Sequence, residues 1–437
     1  TAVAGVGSGL IYGGMGGFTP GGQFYMCDIS DRFGNTNDII FSPYIFDYFL
    51  HIGDGMHVHS ASWGSGYSRA ITMSYTAVSM YFDQVSYTIP SVVHIFAAGN
   101  YGRDTMSPPA NCKNCISVGA LDKNWEVADW TSRGVDPYGR DVPLLYAPGE
   151  HIPAPYAHAV LNNSYSHVTG SSFATPQIAA YAQVEYERYW RHTGKIPHET
   201  LMRARLLSMR NRKLEKPQLL DVAPRGDIFN GAVIGGNVSY TSVTCEAVTG
   251  TDTIATLVWS EPAGNPSAFT GIMFNLTLIL VLPNGRVITS VDNRHTFRQV
   301  TFHALPGKYN LIVYRQDEYM SAYPEVTFSV YIRAVEGVKI PNVLMRNAGV
   351  YGECVPGTYM ECPNGGGIRQ CRIDGTYTTC SECEYGYAPT GDMTCGCSGY
   401  LISNGLSCIR SVNSGMYVSH SRVMITLFII LYAYIFM

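Results

Sequence analysis

Charge is scarce in this sequence: only 14% of its 437 residues are Asp, Glu, Lys or Arg, and the formal net charge is −4. No long run of Lys or Arg occurs, so the electrostatic footprint of a nucleic-acid-binding protein is absent and we expect no nucleic acid as partner. Residues 5–22 hold nine glycines. Neither G-x-G-x-x-G nor G-x-x-x-x-G-K-[ST] occurs among them, so phosphate binding is not predicted there.

Histidine is absent between residues 353 and 409, where eight of the 12 cysteines crowd together: Cys354, Cys362, Cys371, Cys380, Cys383, Cys395, Cys397 and Cys408. An even cluster among Gly, Thr, Tyr and Asn is typical of a small disulfide-stapled module. Zinc is the alternative, because Cys380-x-x-Cys383 and Cys395-x-Cys397 have ligand-like spacing. The lack of histidine favours disulfides, and we predict no metal site. For Cys112, pairing with Cys115 or with Cys27 stays open.

The last fifteen residues, 423–437, are almost entirely apolar. As a helix they would reach about 22 Å, less than the roughly 30 Å of a bilayer core. Small residues at Asn413, Ser414 and Gly415, followed by a short polar spacer, resemble a GPI-attachment signal, and a short single-pass helix is the alternative. Both predict a membrane anchor at the C-terminus and a location at the cell surface or in the secretory pathway. Three sequons, at Asn162, Asn237 and Asn275, would permit glycosylation there.

Two folding patterns follow each other along the chain. Residues 1–225 alternate apolar strand-like runs with helical ones, which is typical of a parallel α/β sheet with helices on both faces. The run Ser91–Ala98 predicts a strand buried on both faces, and residues 173–191 predict a helix. Residues 235–335 show short alternating strands separated by turns, which predicts an all-β sandwich or jelly roll. The predicted domains are 1–225 (α/β), 235–335 (all-β), 350–410 (Cys-rich module) and 416–437 (hydrophobic anchor).

The strongest local signal is the segment Gly170-Ser171-Ser172-Phe173-Ala174-Thr175-Pro176. It places a serine at the start of a helix, where unpaired N–H groups and a partial positive charge would stabilise an alkoxide and an oxyanion. Gly170 would let a substrate backbone come close. We expect Pro176 in the first turns of that helix, where its missing N–H costs little. An ordinary serine N-cap is the commoner explanation of such a serine in isolation.

This segment resembles the Gly-Thr-Ser-Met/Phe-Ala-x-Pro signature of the subtilisin family of serine peptidases, with Ser171 in place of the usual threonine. The stretch ending in Asn100, Ala97-Ala98-Gly99-Asn100, resembles the oxyanion-hole motif of that family. Ser62-Trp63-Gly64 resembles the strand that binds the substrate backbone and forms one wall of the specificity pocket. Further landmarks match in the same order at Cys115–Ala120, Ser132-Arg133-Gly134 and Ala147-Pro148-Gly149. The resemblance implies a subtilisin-like parallel sheet for residues 1–225.

The resemblance also implies a serine endopeptidase that hydrolyses protein or peptide substrates with a Ser/His/Asp triad. Ser172 would be the nucleophile, and Asn100 with the backbone N–H of Ser172 would stabilise the oxyanion. The substrate-binding residues would be Ser62, Trp63, Gly64, Ala98 and Gly99. Such catalysis requires no cofactor. Structural calcium is common in the family, but no ligand set in this sequence is diagnostic of it.

The family's motif His-Gly-Thr-x-Val-Ala-Gly is matched here only in its tail, by Thr1-Ala2-Val3-Ala4-Gly5. The resemblance therefore implies that the catalytic histidine stands two residues before Thr1 and the aspartate further upstream. The sequence in hand is accordingly expected to be a nearly inactive fragment, because removing the histidine of such a triad costs about 10⁶ in kcat, a value measured on a subtilisin itself. His57, His59 and His94 lack the motif context and are interpreted as packing or surface residues.

The C-terminal half resembles a narrower subgroup of the same family. Residues 256–266, with the later Pro-Asn-Gly and Pro-Gly-Lys-Tyr, resemble the jelly-roll domain that follows the catalytic domain in some members. The alternative function is a catalytically inactive surface pseudoprotease that acts as a binding or adhesion protein. Since the sequence has no signal peptide but shows features of an exported protein, we expect the natural chain to continue upstream of Thr1.

Overall fold

A computed structural model describes residues 2–9, 17–22, 24–25, 56–64, 73–156, 164–210, parts of 227–334, and six short strands between 359 and 410. The chain forms two compact units, Thr1–Gly349 and Val350–Met437. The helices described in the first unit are α1 (Ala2–Ser8), α2 (Ala77–Thr88), α3 (Ser171–Thr193) and α4 (Glu199–Leu207). The first eight strands that the structure describes in this unit are β1 (Val58–Ala61), β2 (Val93–Ala97), β3 (Ile116–Leu121), β4 (Gly134–Val135), β5 (Asp141–Val142), β6 (Leu145–Pro148), β7 (Ile152–Tyr156) and β8 (Ser164–Val168).

A parallel sheet with strand order β1-β2-β3-β6 is the centre of the α/β part. Every residue of β2 and β3 is buried, which explains why these strands are mostly apolar and show no polar alternation. One face packs against α3 and α4 through Val93 and Ile95 of β2. The other face packs against α2 through Phe96. The predicted α/β architecture with helices on both faces of a parallel sheet is thus confirmed.

Helix α3 runs from the interior of the molecule to its surface. Ala174 and Ala182 are fully buried, whereas Trp190 is 54% exposed. The helix ends at Gly194, which takes a left-handed conformation with φ 68° and donates its N–H to the Trp190 carbonyl. Because the helix begins at Ser171, Pro176 lies in its first two turns, as expected. The expected small cost of its missing N–H is wrong, because that N–H would have reached the carbonyl of Ser172.

Eight further strands form two antiparallel four-stranded sheets in the later part of the first unit. They are β9 (Asp227–Gly235), β10 (Tyr240–Ala247), β11 (Thr251–Trp259), β12 (Leu276–Val281), β13 (Val287–Thr289), β14 (Phe297–Ala304), β15 (Gly307–Arg315) and β16 (Glu325–Ala334). The sheet orders are β10-β15-β12-β13 and β14-β11-β16-β9. The predicted alternation is seen in β12, where Leu276, Leu278 and Leu280 are buried on one face. A jelly-roll topology, like the domain boundaries, stays a prediction.

Helix α4 joins the two parts of the first unit. Its residues Leu201 and Met202 share a core cluster with Val258, Phe297 and Tyr331 of the antiparallel sheets. A core that continues from the α/β part into the all-β part explains why residues 1–349 are one compact unit.

The second unit contains three two-stranded antiparallel ribbons, formed by β17 (Tyr359–Glu361) with β18 (Ile368–Gln370), β19 (Tyr387–Pro389) with β20 (Cys395–Cys397), and β21 (Leu401–Ser403) with β22 (Cys408–Arg410). The pairing of its cysteines and the hydrophobic segment 416–437 lie outside the described residues. In the part of the chain that is described, no helix has the length and apolar character needed to cross a membrane.

Candidate active site

Ser172 is the second residue of α3, directly after the turn that starts the helix. Gly170 has a positive φ of 156°, and a Cβ there would come within 3.4 Å of Nδ2 of Asn100. The first N–H groups of a helix have no carbonyl partner in the preceding turn. The N–H of Ser172 belongs to this set, and it lies at the positive end of a helix of 23 residues. The arrangement therefore favours a developing negative charge beside Ser172.

The side chain of Asn100 is oriented by the residue that precedes Ser172. Its Oδ1 accepts hydrogen bonds from the backbone N–H of Ser171 at 2.8 Å and from the Ser171 hydroxyl at 2.9 Å. Because these bonds identify Oδ1 as the acceptor side of the amide, the NH₂ group is left to donate elsewhere. Nδ2 lies beside Gly170. Because glycine has no Cβ, a substrate can approach Nδ2 from that side.

Ser171 is a site residue whose role the sequence did not reveal. Its side chain is fully buried, and its hydroxyl oxygen also accepts the N–H of Gly99 at 3.1 Å. Ser171 thus connects the end of β2 to the start of α3. The only sequence signal was that a hydroxyl residue stands where the family signature has threonine.

Ser62, Trp63 and Gly64 follow β1 and lie against this turn. The Ser62 hydroxyl donates to the carbonyl of Ser172 at 2.8 Å, and the Ser172 hydroxyl is 3.4 Å from the carbonyl of Ser62. The ring of Trp63 packs against Phe82 and Phe96. The indole is therefore partly buried and packs against the hydrophobic core on this side of the sheet. A Cβ on Gly64 would be 2.6 Å from that of Ser107, so this position requires glycine.

Ala98 and Gly99 lie beside the same turn, but their backbone groups are already engaged. The N–H of Ala98 donates to Val118, and its carbonyl accepts from Ser107. The N–H of Gly99 donates to Ser171, and its carbonyl accepts from Ser132. These two residues can line a pocket, but they have no spare N–H to offer to a bound peptide.

The landmark that ends at Gly149 lies between the end of β3 and the turn before α3. The N–H of Gly170 donates to the carbonyl of Gly149 at 2.8 Å, and Gly149 in turn donates to the carbonyl of Leu121 at 2.9 Å. A Cβ on Gly149 would be 2.5 Å from that of Ala120. The turn before Ser172 is therefore attached to the end of β3 through a glycine that tolerates no side chain.

His94 of β2 is fully buried, and His59 of β1 is partly buried beside it. His59 and His94 are register partners, and their Nδ1 atoms are 3.0 Å apart. Burial lowers the pKa of His59 to about 4. Burial, and then His59 and Arg203, lower the pKa of His94 well below its ordinary value. Within the described ranges, Ser172 has hydrogen bonds to Ser62 and none to a histidine.

Helix α1, whose first residues match the tail of the histidine motif, packs against α3 and β7. A Cβ on Gly7 would be 3.6 Å from the Cβ of Pro176, and a Cβ on Gly5 would be 2.4 Å from the ring of Pro155. Glycine is therefore required at position 5 for this close approach. Gly7, two residues after the segment that resembles the histidine motif, thus lies against α3 one turn after Ser172.

One disulfide is present among the described residues. Cys112 forms a disulfide with Cys115, with their Cα atoms 5.6 Å apart. This resolves the pairing left open by the sequence. No group of three or more His, Cys, Asp or Glu residues suited to a metal occurs in the part of the molecule that is described.

Known proteins similar to this chain point to one family. The model of the subtilase family, Peptidase_S8, matches residues 1–220 of the 437. A thermostable alkaline protease of Halalkalibacterium halodurans is 26% identical over 181 residues, which is 41% of this chain and 44% of the relative. Subtilisin BL of Lederbergia lenta is 32% identical over 129 residues, which is 30% of this chain and 41% of the relative. The chain spans less than half the length of these two relatives.

Solved structures with similar folds include sphericase, with 23% identity and a TM-score of 0.37 over 48% of this chain and 68% of that one. The self-cleaved protease domain of PatA has 20% identity and a TM-score of 0.40 over 48% of this chain and 73% of that one. At these scores the structures add no argument to the family match.

Proposed function

Because this chain belongs to the subtilase family, we propose that it carries the nucleophile and oxyanion hole of a serine endopeptidase acting on protein or peptide substrates. The observation that supports this most strongly is the pair of hydrogen bonds from Ser171 to Oδ1 of Asn100. They set the amide NH₂ of Asn100 next to the helix start that carries Ser172. The N-cap of α3 is Gly170, so Ser172 is not an ordinary N-cap serine.

In the proposed reaction Ser172 attacks the scissile carbonyl carbon, and the carbonyl oxygen takes on negative charge. The NH₂ of Asn100 and the backbone N–H of Ser172 donate to that oxygen, and both donors are in place before the reaction. A substrate backbone would lie along Ser62, Trp63 and Gly64. Since Trp63 packs inward, we propose that its backbone, and not its ring, takes part in substrate binding.

The hydroxyl proton of Ser172 needs a general base, and the carbonyl of Ser62 cannot accept a proton at neutral pH. We propose that the base is a histidine two residues before Thr1, positioned by an aspartate further upstream, as the match of Thr1–Gly5 to the family motif implies. The packing of α1 on α3 supports this, because the motif segment leads directly into Gly7, which lies beside Pro176.

A fluorophosphonate probe on the full-length protein tests the proposal. We expect labelling at Ser172, no labelling of the Ser172→Ala variant, and retained labelling of Ser171→Thr, which keeps the neighbouring hydroxyl. Equal labelling of wild type and Ser172→Ala would remove Ser172 from its role. An unlabelled full-length protein without an upstream His-Gly would favour the alternative, a surface pseudoprotease that binds or adheres.

We also propose export through the secretory pathway and attachment to a membrane by residues 416–437. The apolar C-terminal run and the cysteine-rich module support this, as does the disulfide between Cys112 and Cys115. Release of the full-length protein from cells by a phospholipase specific for GPI anchors would distinguish that anchor from a membrane-spanning helix.

A further inference from the structure

One landmark, Ser132-Arg133-Gly134, has no part in the chemistry proposed above, although it lies against the turn that carries Asn100. Residues 130–133 run beside residues 99–105. The N–H of Gly102 donates to the carbonyl of Trp130 at 2.9 Å, and the N–H of Arg133 donates to the carbonyl of Gly102 at 3.1 Å. The two loops are therefore joined by backbone hydrogen bonds close to Asn100.

Ser132 holds both chain neighbours of Asn100. Its N–H donates to the carbonyl of Gly99 at 2.9 Å, and its hydroxyl oxygen accepts the N–H of Tyr101 at 3.1 Å. Gly99 has φ 110°, and a Cβ there would come within 2.7 Å of the Ser132 hydroxyl oxygen. The close approach of Ser132 thus depends on glycine at position 99, and it fixes the backbone before and after Asn100.

The hydroxyl of Ser132 is itself held in place. Ser132 is fully buried, and its hydroxyl oxygen lies 2.9 Å from that of Thr105. The Thr105 hydroxyl donates its one proton to the carbonyl of Gly102 at 2.6 Å. This chain of bonds closes the turn from Tyr101 to Thr105 on itself. The hydroxyl of Ser132 therefore contacts the turn that follows Asn100, at Tyr101 and Thr105, and not its own loop.

Its neighbours in the sequence hold the loop 128–134 together instead. Thr131 accepts the N–H of Ala120 at 2.9 Å and so attaches the loop to β3. The guanidinium of Arg133 donates to three carbonyl oxygens of the same loop, those of Ala128, Asp129 and Thr131. Because Thr131 and Arg133 stabilise the loop, the loop does not depend on the hydroxyl of Ser132, which contacts residues 101 and 105 instead.

We infer that Ser132 is a positioning residue for the oxyanion hole. Ser132 fixes the backbone on both sides of Asn100 through Gly99 and Tyr101. Ser171 orients the Asn100 side chain through its Oδ1. With both in place, the Asn100 NH₂ is set for an oxyanion without reorganisation during the reaction. This inference rests on the proposed peptidase function.

A double-mutant cycle in the full-length protein tests this role. Ser132→Ala should lower kcat about tenfold and leave KM within about twofold, because the affected donor acts only in the transition state. In an Asn100→Ala background the same change should lower kcat less than about twofold, since the group that Ser132 positions is gone. Equal losses in both backgrounds would overturn the inference. Thr131→Val is the matched control, and its effect should be the same with and without Asn100.

A second measurement does not depend on activity or on the folding of a variant. In the chain itself, the amide hydrogen of Tyr101 should be protected from exchange with solvent, although the residue is 48% exposed and directly follows Asn100. Exchange at the rate of an unprotected amide would overturn the inference. A full-length protein that neither cleaves peptides nor reacts with a fluorophosphonate would refute the peptidase function, even if Tyr101 were protected.

Discussion

Ser62 donates a hydrogen bond from its hydroxyl to the backbone carbonyl of Ser172 at 2.8 Å. This carbonyl would normally accept the N–H four residues later in α3. That residue is Pro176, which has no N–H. Proline therefore leaves an acceptor open inside the helix, and a residue 110 positions away in the sequence fills it. Pro176 of the signature thereby leads to a hydrogen bond between the segment that follows β1 and the start of α3.

This relationship predicts coupling between Ser62 and Pro176. Ser62→Ala should lower the free energy of unfolding by about 1–3 kcal/mol, because the Ser172 carbonyl loses its donor. In a Pro176→Ala background the same change should cost measurably less, since the alanine that replaces proline would supply an N–H to that carbonyl. Urea unfolding of the four proteins measures the coupling. Equal costs in both backgrounds would contradict the explanation.

Asn100 is predicted to act through its donor group. Asn100→Ala should lower kcat of the full-length protein about 10²–10³-fold with little change in KM, a magnitude measured on a subtilisin and borrowed from it. Asn100→Asp is the informative companion, because it keeps an oxygen to accept from Ser171 and replaces the donor by an acceptor. It should lose at least as much activity. A fully active Asp variant would exclude Asn100 from the oxyanion hole.

Ser171 is predicted to tolerate threonine but not alanine. Alanine would leave the N–H of Gly99 without its acceptor and would remove one of the two donors to Asn100. Kinetics should show kcat falling about tenfold for Ser171→Ala, whereas Ser171→Thr, which keeps the hydroxyl, should stay within about twofold of wild type. If the two variants behave alike, the hydroxyl has no role in orienting Asn100.

Acid should destabilise the folded chain. Burial lowers the pKa of His59 and of His198 to about 4, whereas an unfolded histidine titrates near 6.5. Between these values the unfolded state binds more protons, so the free energy of unfolding should fall as pH drops from about 6.5 towards 4 and be flat above about 7. Urea unfolding at several pH values measures this. His59→Phe should reduce the slope, and an unchanged slope in this variant would contradict the explanation.

The ion pair between Lys113 and Glu261 should be required for stability. Its atoms are 2.9 Å apart, and the two side chains are only 4% and 0% exposed. Lys113→Met should lower the free energy of unfolding by about 3–5 kcal/mol, because it leaves a buried carboxylate without its partner.

The control for this prediction is the exposed pair of Arg191 and Glu187 on α3. Glu187→Gln should change the free energy of unfolding by less than about 1 kcal/mol. If Lys113→Met has an effect as small as that, the buried pair does not hold the all-β part against the loop that contains Lys113.

Sequence patterns were sufficient for the elements whose causes are local. The apolar run before Gly99 predicted β2, and the small and then charged residues after Ser172 predicted α3, because burial on one or both faces leaves a periodic trace along the chain. The same holds for β12, where alternate leucines are buried. The order of the motifs was likewise enough to identify the family.

Contacts between distant segments could not be predicted in this way. Asn100 and Ser172 each lie in a motif that resembles one of the subtilisin family. The sequence alone was therefore enough to propose Ser172 as the nucleophile and Asn100 as the donor. Only the tertiary structure decided how Ser171, Ser132 and Ser62 hold them, because each of these serines acts on a segment 30 or more residues away. A serine contributes no periodicity and no charge, and its hydrogen-bond partner depends on which backbone groups the completed fold has left unpaired.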